Sequence, residues 1–533
     1  TDWSARSAKA PRQSTGSNAG GFVGGIYHGS CDMTISECTN SPTVNGLGSS
    51  IGGVFGMIDG AGGLTLTISN FTNNPNIIGT ENLGGLVGLL SNNYFADMSV
   101  SNYINDGVVK SLDDGTIGSN AGGFVGLVDS GNVQTMSFSN VTNNINVMAK
   151  ENVGGIFGGV HIVNVSVSIS NITNNAKTTG NKNIGGFAGY IYDDATFSFY
   201  DVINNANVIG NNSVGGFFGC VYMIDTKMEI SNVNNNVNVT GSGCVGGFVG
   251  EIYRNTNMVM TISNSANNGI VTGSWGDVGG FVGHIYSSSQ LNSITLSIIS
   301  SVNKDSVSAR KSMACGFVCV DPEHSINVST TIKNSINKGS VNASTSTYGI
   351  TNIITVARNV VSMGDVTGSS GSYTFWNAST DADLFFSFKD NCFNCSDDAK
   401  VFQYNTSTGF YEVDGTGEHV HNLLNNEAVN QHFGMMWTSK LELVDSWTNH
   451  TSYSSDSSEN SRVGNEVRTA QDLIQLFEKV NGTTLQADIE LVSDIDFSGS
   501  SLNLPLGAFS NGTCVPFSGV FHGNGHSIKG LKM

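Results

Sequence analysis

Gly246-Gly247-Phe248-Val249-Gly250, then Ile262-Ser263-Asn264-Ser265-Ala266-Asn267-Asn268, then Val271-Thr272-Gly273, is one copy of a pattern that recurs along the chain. The Gly-Gly-apolar-apolar-Gly piece starts at Gly20, Gly52, Gly84, Gly122, Gly154, Gly185, Gly215, Gly246 and Gly279, with a worn copy at Cys315 and a barely recognisable one near Gly349. Successive starts lie 30 to 38 residues apart. The Ile-Ser-Asn piece is clear at Ile68, Phe138, Ile169, Ile230 and Ile262, and looser at Ile35, Val100, Phe199 and Ile332. An apolar-x-Gly piece closes many units, as at Val44 to Gly46, Val208 to Gly210, Val239 to Gly241 and Val366 to Gly368.

Three short β-prone pieces per unit, separated by Gly- and Asn-rich turns, predict one turn of a parallel β-helix. A helical hairpin repeat would need longer segments with helical periodicity, and the β-branched, Asn and Gly content opposes helix. A propeller blade would need four antiparallel strands.

Stacking the units forms columns. Phe22, Val54, Leu86, Phe124, Ile156, Phe187, Phe217, Phe248, Phe281 and Phe317 make one row, and Ile26, Ile58, Leu90, Val128, Val160, Ile191, Val221, Ile252 and Ile285 a second, four residues on. Both are expected to face the core. The Gly row between them, Gly24, Gly56, Gly88 and its equivalents, is expected to leave room for side chains of the opposite wall. The row beside the Phe column, Val23, Phe55, Val87, Val125, Phe157, Phe218, Val249 and Val282, faces outward by strict alternation. It is therefore covered, turned inward by a Gly-induced bend, or a contact surface. The Asn pairs, such as Asn73-Asn74, Asn143-Asn144, Asn174-Asn175 and Asn204-Asn205, predict amide ladders running from coil to coil. Phe248→Ala is expected to cost about 3–5 kcal/mol, and loss of one Asn bond at Asn235 about 1 kcal/mol.

Composition narrows the class. Charged residues are 12% of 533, Gly is abundant at 67 and Pro scarce at 6, which means tight turns rather than disorder. A net charge of −19 with only 23 Lys and Arg repels phosphate backbones and anionic membranes, so no nucleic-acid partner is expected. No apolar run is long enough for a transmembrane span. The chain begins Thr1-Asp2-Trp3 without a leader, so a signal peptide, if the protein is secreted, has been removed. Sequons stand at Asn70, Asn140, Asn164, Asn171, Asn211, Asn238, Asn327, Asn342, Asn377, Asn394, Asn405, Asn449, Asn481 and Asn511. With nine Cys, these candidate glycosylation sites favour an extracellular or cell-surface location.

These units resemble the GLUG-type repeat of surface proteins, over about residues 18–370: a Gly-Gly-Leu/Phe-Val-Gly start, an Ile-x-Asn middle and a Val-x-Gly end. The resemblance implies a right-handed parallel β-helix of ten to eleven coils at a cell surface, similar to protist surface proteins and bacterial adhesins, with no reaction and no cofactor. The run Phe517 to Leu531 resembles the opening coil of such a β-helix. Before it, Thr469 to Asp472 resembles a capping box, Leu473 to Val480 an amphipathic helix, and Leu485 to Leu491 and Ile495 to Phe497 strands. The expected organisation is an N-terminal arm over 1–18, the repeats over 19–368, an irregular β-rich segment and polar linker over 369–462, and an α+β opening or cap unit over 463–533.

No column of Asp or Glu appears, and Asp113-Asp114 and Asp193-Asp194 read as turn residues, so no enzyme is expected. Cys31 with Cys38, and Cys392 with Cys395, are candidate disulfides. Cys315 and Cys319, four apart in a strand, would be roughly 13 Å apart, too far to bridge without a bend. Cys220 and Cys244 sit at different offsets. Nine being odd, Cys514 is the candidate for an intermolecular bond. His419 and His421 share a strand face without a third metal ligand, and His522 and His526 flank a turn. The leading expectation is a glycosylated filament or coat subunit. Its opening unit, displaced to the far end, would cap the first coil of the next copy and so join copies head to tail. The alternative is an adhesin that binds host or matrix glycan, or protein, along the solenoid face, with Tyr27, Tyr190, Tyr222, Tyr253 and Tyr286 as a partial aromatic row.

Overall fold

The computed structural model describes most of residues 11–373 apart from loop tips, and short strands at 2–3, between 387 and 414, and between 465 and 529. The chain divides into two compact units, Thr1–Val420 and His421–Met533. The first is an all-β parallel solenoid. Each rung has four strands rather than the three expected. One rung runs Ser49–Gly52, Phe55–Asp59, Leu64–Asn73 and Asn76–Gly79, and the next Glu81–Gly84, Val87–Ser91, Phe95–Asn105 and Val108–Ser111. We call these walls 1 to 4. Walls 1 and 4 each stack twelve strands and wall 2 stacks ten, so nine turns separate its first strand from its last. Asp2–Trp3 and Pro11–Ser14 pair in parallel with Asp32–Asn40 and Thr43–Gly46.

The extra strand comes from the Gly-Gly piece, which is a corner between two strands rather than one strand. Its first Gly ends wall 1, and wall 2 starts three residues on. The bend reverses alternation, so Val54 and Phe55, adjacent in sequence, are both fully buried in one core. Of the readings open for the apolar row beside the Phe column, the Gly-induced bend is the one found: the row points inward, from Phe55 to Val282. The Gly row has a different cause from the one expected. A Cβ on Gly88 would fall 2.4 Å from the Ile51 nitrogen and 2.5 Å from the Gly56 oxygen. Backbone of the preceding rung fills that space, not side chains from the opposite wall.

Wall 3 carries the Ile-Ser-Asn piece in register, loose copies included: Ile35, Ile68, Val100, Phe138, Ile169, Phe199, Ile230 and Ile262 are aligned partners. The first Asn of this piece has a left-handed backbone, as at Asn70 (φ 50°) and Asn140 (φ 54°). Asn tolerates that region better than most residues. The kink resets alternation, so Ile68, Phe71 and Asn73 all point inward.

Two apolar cores result. Walls 2 and 3 enclose the Phe-rich core, and walls 1 and 4 enclose a slimmer one of Val44, Ile51, Ile77, Leu83, Val109 and their equivalents. Between them runs a buried ladder of Asn40, Asn73, Asn105, Asn143, Asn174, Asn204, Asn235, Asn267, Asn303 and Asn337. Each amide donates to the next side-chain oxygen at 2.8–3.1 Å. From Asn40 to Asn204 each also donates to the carbonyl of a corner Gly, as Asn174 does to Gly186 at 2.8 Å. The second Asn of each pair forms a separate, exposed ladder through Asn144, Asn175, Asn205, Asn236 and Asn268.

In the second unit, Asn465–Val467, Ile489–Leu491 and Phe521–His522 form a parallel sheet, and Ile495–Asp496 pairs in parallel with Ile528–Lys529. Paired residues Ile489 and Phe521 are 32 apart, and Ile495 and Ile528 are 33 apart, within the repeat length of the solenoid. The expected helix at 469–480 lies outside the described residues.

Candidate functional site

The outer face of wall 2 gathers the side chains with chemistry. Seven residues after the first Gly of each unit, in-register outward positions hold Tyr27, Asp59, Ser91, Asp129, His161, Tyr192, Tyr222, Tyr253 and Tyr286. From His161 onward neighbouring rings touch: His161–Tyr192 edge-on at 4.9 Å between centroids, Tyr192–Tyr222 stacked at 4.9 Å, Tyr222–Tyr253 tilted at 6.2 Å, Tyr253–Tyr286 stacked at 5.0 Å and Tyr286–His324 tilted at 5.0 Å. The expected aromatic row thus needs one replacement. Tyr190 belongs to the column two residues earlier, and Tyr192 takes its place. Tyr27 stands apart from the stack and accepts a hydrogen bond from Asn18 at 2.6 Å.

The column that holds Tyr190 continues through Cys220, Glu251 and His284. Glu251 accepts a hydrogen bond from Ser213 at 2.6 Å. His284 is partly buried between two carboxylates: its Nδ1 lies 2.9 Å from Asp277 and its Nε2 3.9 Å from Asp321. The Nδ1 of His324 lies 3.2 Å from Asp321, and Ser312 donates to Asp277. Burial opposes charge on His284, but the hydrogen bond and charge of Asp277, with Glu251 and Asp321, outweigh it and raise the pKa above 6.5. Asp321 is lowered from 3.8: some burial raises it, and the Glu323 N–H, the His324 side chain and the His324 N–H more than compensate. The Ser312 hydroxyl donates to the Asp277 carboxylate rather than to an imidazole. This network escaped a search for carboxylate columns because it mixes His with Asp. A search for any ionisable residue five after the first Gly finds Glu251 and His284.

The cysteines separate into classes. Cys315 and Cys319 form a disulfide with Cα atoms 5.5 Å apart, correcting the estimate for a straight strand. They occupy the first and last Gly positions of the corner, and the corner is the bend that brings them together. Cys38 is buried in wall 3, with its thiol 3.0 Å from the Ser36 carbonyl. Burial first, then Glu251, pushes the Cys220 and Cys244 thiols well up, which makes them poor nucleophiles. Cys514 lies in the strand Thr513–Cys514. Cys31, Cys392 and Cys395 lie outside the described residues, as do His419, His421, His526, Asp113, Asp114, Asp193 and Asp194. His522 lies in the strand Phe521–His522.

Three sequons share one column. Asn70, Asn140 and Asn171 are exposed at the wall 3 kink and joined through Asn102 by amide bonds of 3.1, 3.1 and 2.6 Å. Asn211, Asn238, Asn327 and Asn342 are exposed as well. Asn394 and Asn405 lie in short strands. Asn164, Asn377, Asn449, Asn481 and Asn511 lie outside the described residues.

Among the described residues, no group of three or more His, Cys, Asp or Glu is arranged to hold a metal ion. Among the same residues, no helix is long and apolar enough to cross a membrane. The chain matches no family model, no curated protein and no solved structure.

Proposed function

We propose that the chain is a structural protein of the cell exterior, built of GLUG-type repeats: a glycosylated filament or coat subunit whose copies join head to tail. The observation that carries this reading is the buried Asn ladder, unbroken from Asn40 to Asn337. It couples every rung to the next along the stacking direction and presents nothing to a ligand. Buried, mutually satisfied amides rigidify and specify a fold, because any register slip orphans them. The exposed Asn rows and the sequon column on wall 3 suit a hydrated, glycosylated exterior.

Head-to-tail joining draws on the second unit. Two of its three parallel pairs are 32 and 33 residues apart, close to the solenoid's repeat, and the third is 24 apart. A parallel rung offers another rung the same backbone hydrogen bonds that join rungs within the solenoid. The adhesin alternative would use the aromatic row. There Tyr192 stacks on Tyr222 and Tyr253 on Tyr286, which leaves edges and hydroxyls rather than the shared faces of those pairs for a sugar.

Negative-stain electron microscopy of the purified chain and of a truncation after Arg462 tests the proposal. Filaments from the full chain and isolated, folded particles from the truncation are expected. Filaments from the truncated protein would refute the joint, and single particles from both would refute the filament.

A further inference from the structure

Tyr192, Tyr222, Tyr253 and Tyr286 follow one another on adjacent rungs, each half-buried on the outer face of wall 2. Two of the three contacts are closely stacked: Tyr192–Tyr222 at 4.9 Å and 20° between ring planes, and Tyr253–Tyr286 at 5.0 Å and 18°. The middle contact, Tyr222–Tyr253, is longer and more tilted, at 6.2 Å and 42°. Stacking alone stabilises such pairs, and Phe would stack as well. The hydroxyl adds redox chemistry: a phenol gives up one electron and one proton to become a phenoxyl radical. In-register parallel strands hold two phenols about 4.8 Å apart at the backbone, and solvent reaches both rings.

We propose that Tyr192 with Tyr222, and Tyr253 with Tyr286, are sites of oxidative cross-linking that join neighbouring rungs through a carbon–carbon bond between ring positions ortho to the hydroxyls. The co-reactant is hydrogen peroxide, used by a haem peroxidase. Each phenol loses one electron and one proton, and the two radicals couple at their ortho carbons. The ring hydrogens then shift to the oxygens and restore both phenols. The two electrons and two protons reduce one peroxide to two waters, so each cross-link removes two hydrogens from the protein. This pairing uses all four tyrosines once. Tyr190, whose ring lies 6.0 Å from that of Tyr192, is the competing partner on the same rung. The bond would sit between rungs, where it resists the stack opening from the side.

The test treats the full chain with a peroxidase and limiting peroxide, then measures the intact mass of the monomer, dityrosine fluorescence and the identity of linked peptides. The expected result is a monomer lighter by two and then four hydrogens, with peptides linked at 192–222 and 253–286. Tyr222→Phe should remove the first link and keep the second. Tyr190→Phe should change neither. Absence of fluorescence and mass loss would overturn the proposal. So would links that join other tyrosines, links confined to covalent dimers, or a pattern unchanged when the protein is denatured before oxidation.

Discussion

Asn174 donates a hydrogen bond to the carbonyl of Gly186, twelve residues further along the chain, at 2.8 Å, and the same amide nitrogen lies 2.6 Å from where a Cβ on Gly155 would stand. The two most recognisable pieces of the repeat, Ile-x-Asn and Gly-Gly, are thus two halves of one contact. The buried Asn needs a carbonyl to bond, and the corner can bring that carbonyl close only where a residue has no side chain.

The ladder's burial changes the expected cost of breaking it. Asn174 donates to Gly186 and Asn204 and accepts from Asn143, so Asn174→Ala orphans groups on two rungs. Each buried orphan costs about 1–3 kcal/mol. The loss should approach the roughly 3–5 kcal/mol of Phe248→Ala, above the figure for one bond. The exposed neighbour Asn175→Ala should cost less than about 1 kcal/mol. Urea titrations of the three variants check the order, and equal losses for Asn174 and Asn175 would place the ladder wrongly.

Gly155→Ala tests the other half of that contact. Its Cβ would fall 2.2 Å from the Gly186 oxygen. Backbone must move to admit it, so a loss of about 1–3 kcal/mol or more is expected. An unchanged melting temperature would mean that the corner is looser than described.

Much of this was legible in the sequence because the repeat prints each column ten times. The inward Phe row, the Ile-Ser-Asn register and the amide ladders follow from period and alternation. The fourth strand did not, because alternation is blind to a corner: Val54 and Phe55 read as opposite faces and share one core. The Cys315–Cys319 bond was missed for the same reason. The His284 network was missed because it draws on three neighbouring rungs at unequal offsets, which no single column displays.

Cys315 and Cys319 stand where nine other units have Gly at both positions. The double substitution Cys315→Gly, Cys319→Gly should therefore fold, with a loss near the ~2 kcal/mol expected for closing so short a loop. Both sulfurs are fully buried, so the native protein should resist mild reductant. Rapid reduction without unfolding would count against this burial.

Stability should depend on pH through His284. Its folded pKa is raised from 6.5, so its contribution is complete below 6.5 and is lost as pH rises through the folded value. Asp321 is lowered from 3.8, so its contribution is present above 3.8 and is lost as pH falls through the folded value. The network is therefore strongest between those two values. Melting curves above pH 6.5 should decline more steeply for the native chain than for His284→Gln, and parallel declines would contradict the assignment.

The central claim is that each unit adds one parallel rung in strict register, and distances between spin labels test it most directly. Ser69, Ser101, Ser139, Ser170, Tyr200, Ser231 and Ser263 are successive register partners on wall 3. Labels at Ser139 and Ser263 are four rungs apart and should read about 19 Å, and labels at Ser69 and Ser263, six rungs apart, about 29 Å, at roughly 4.8 Å per rung. Distances that grow linearly with rung number confirm the stack. Distances that plateau or fall as units are added, as in a closed ring of blades, would contradict it.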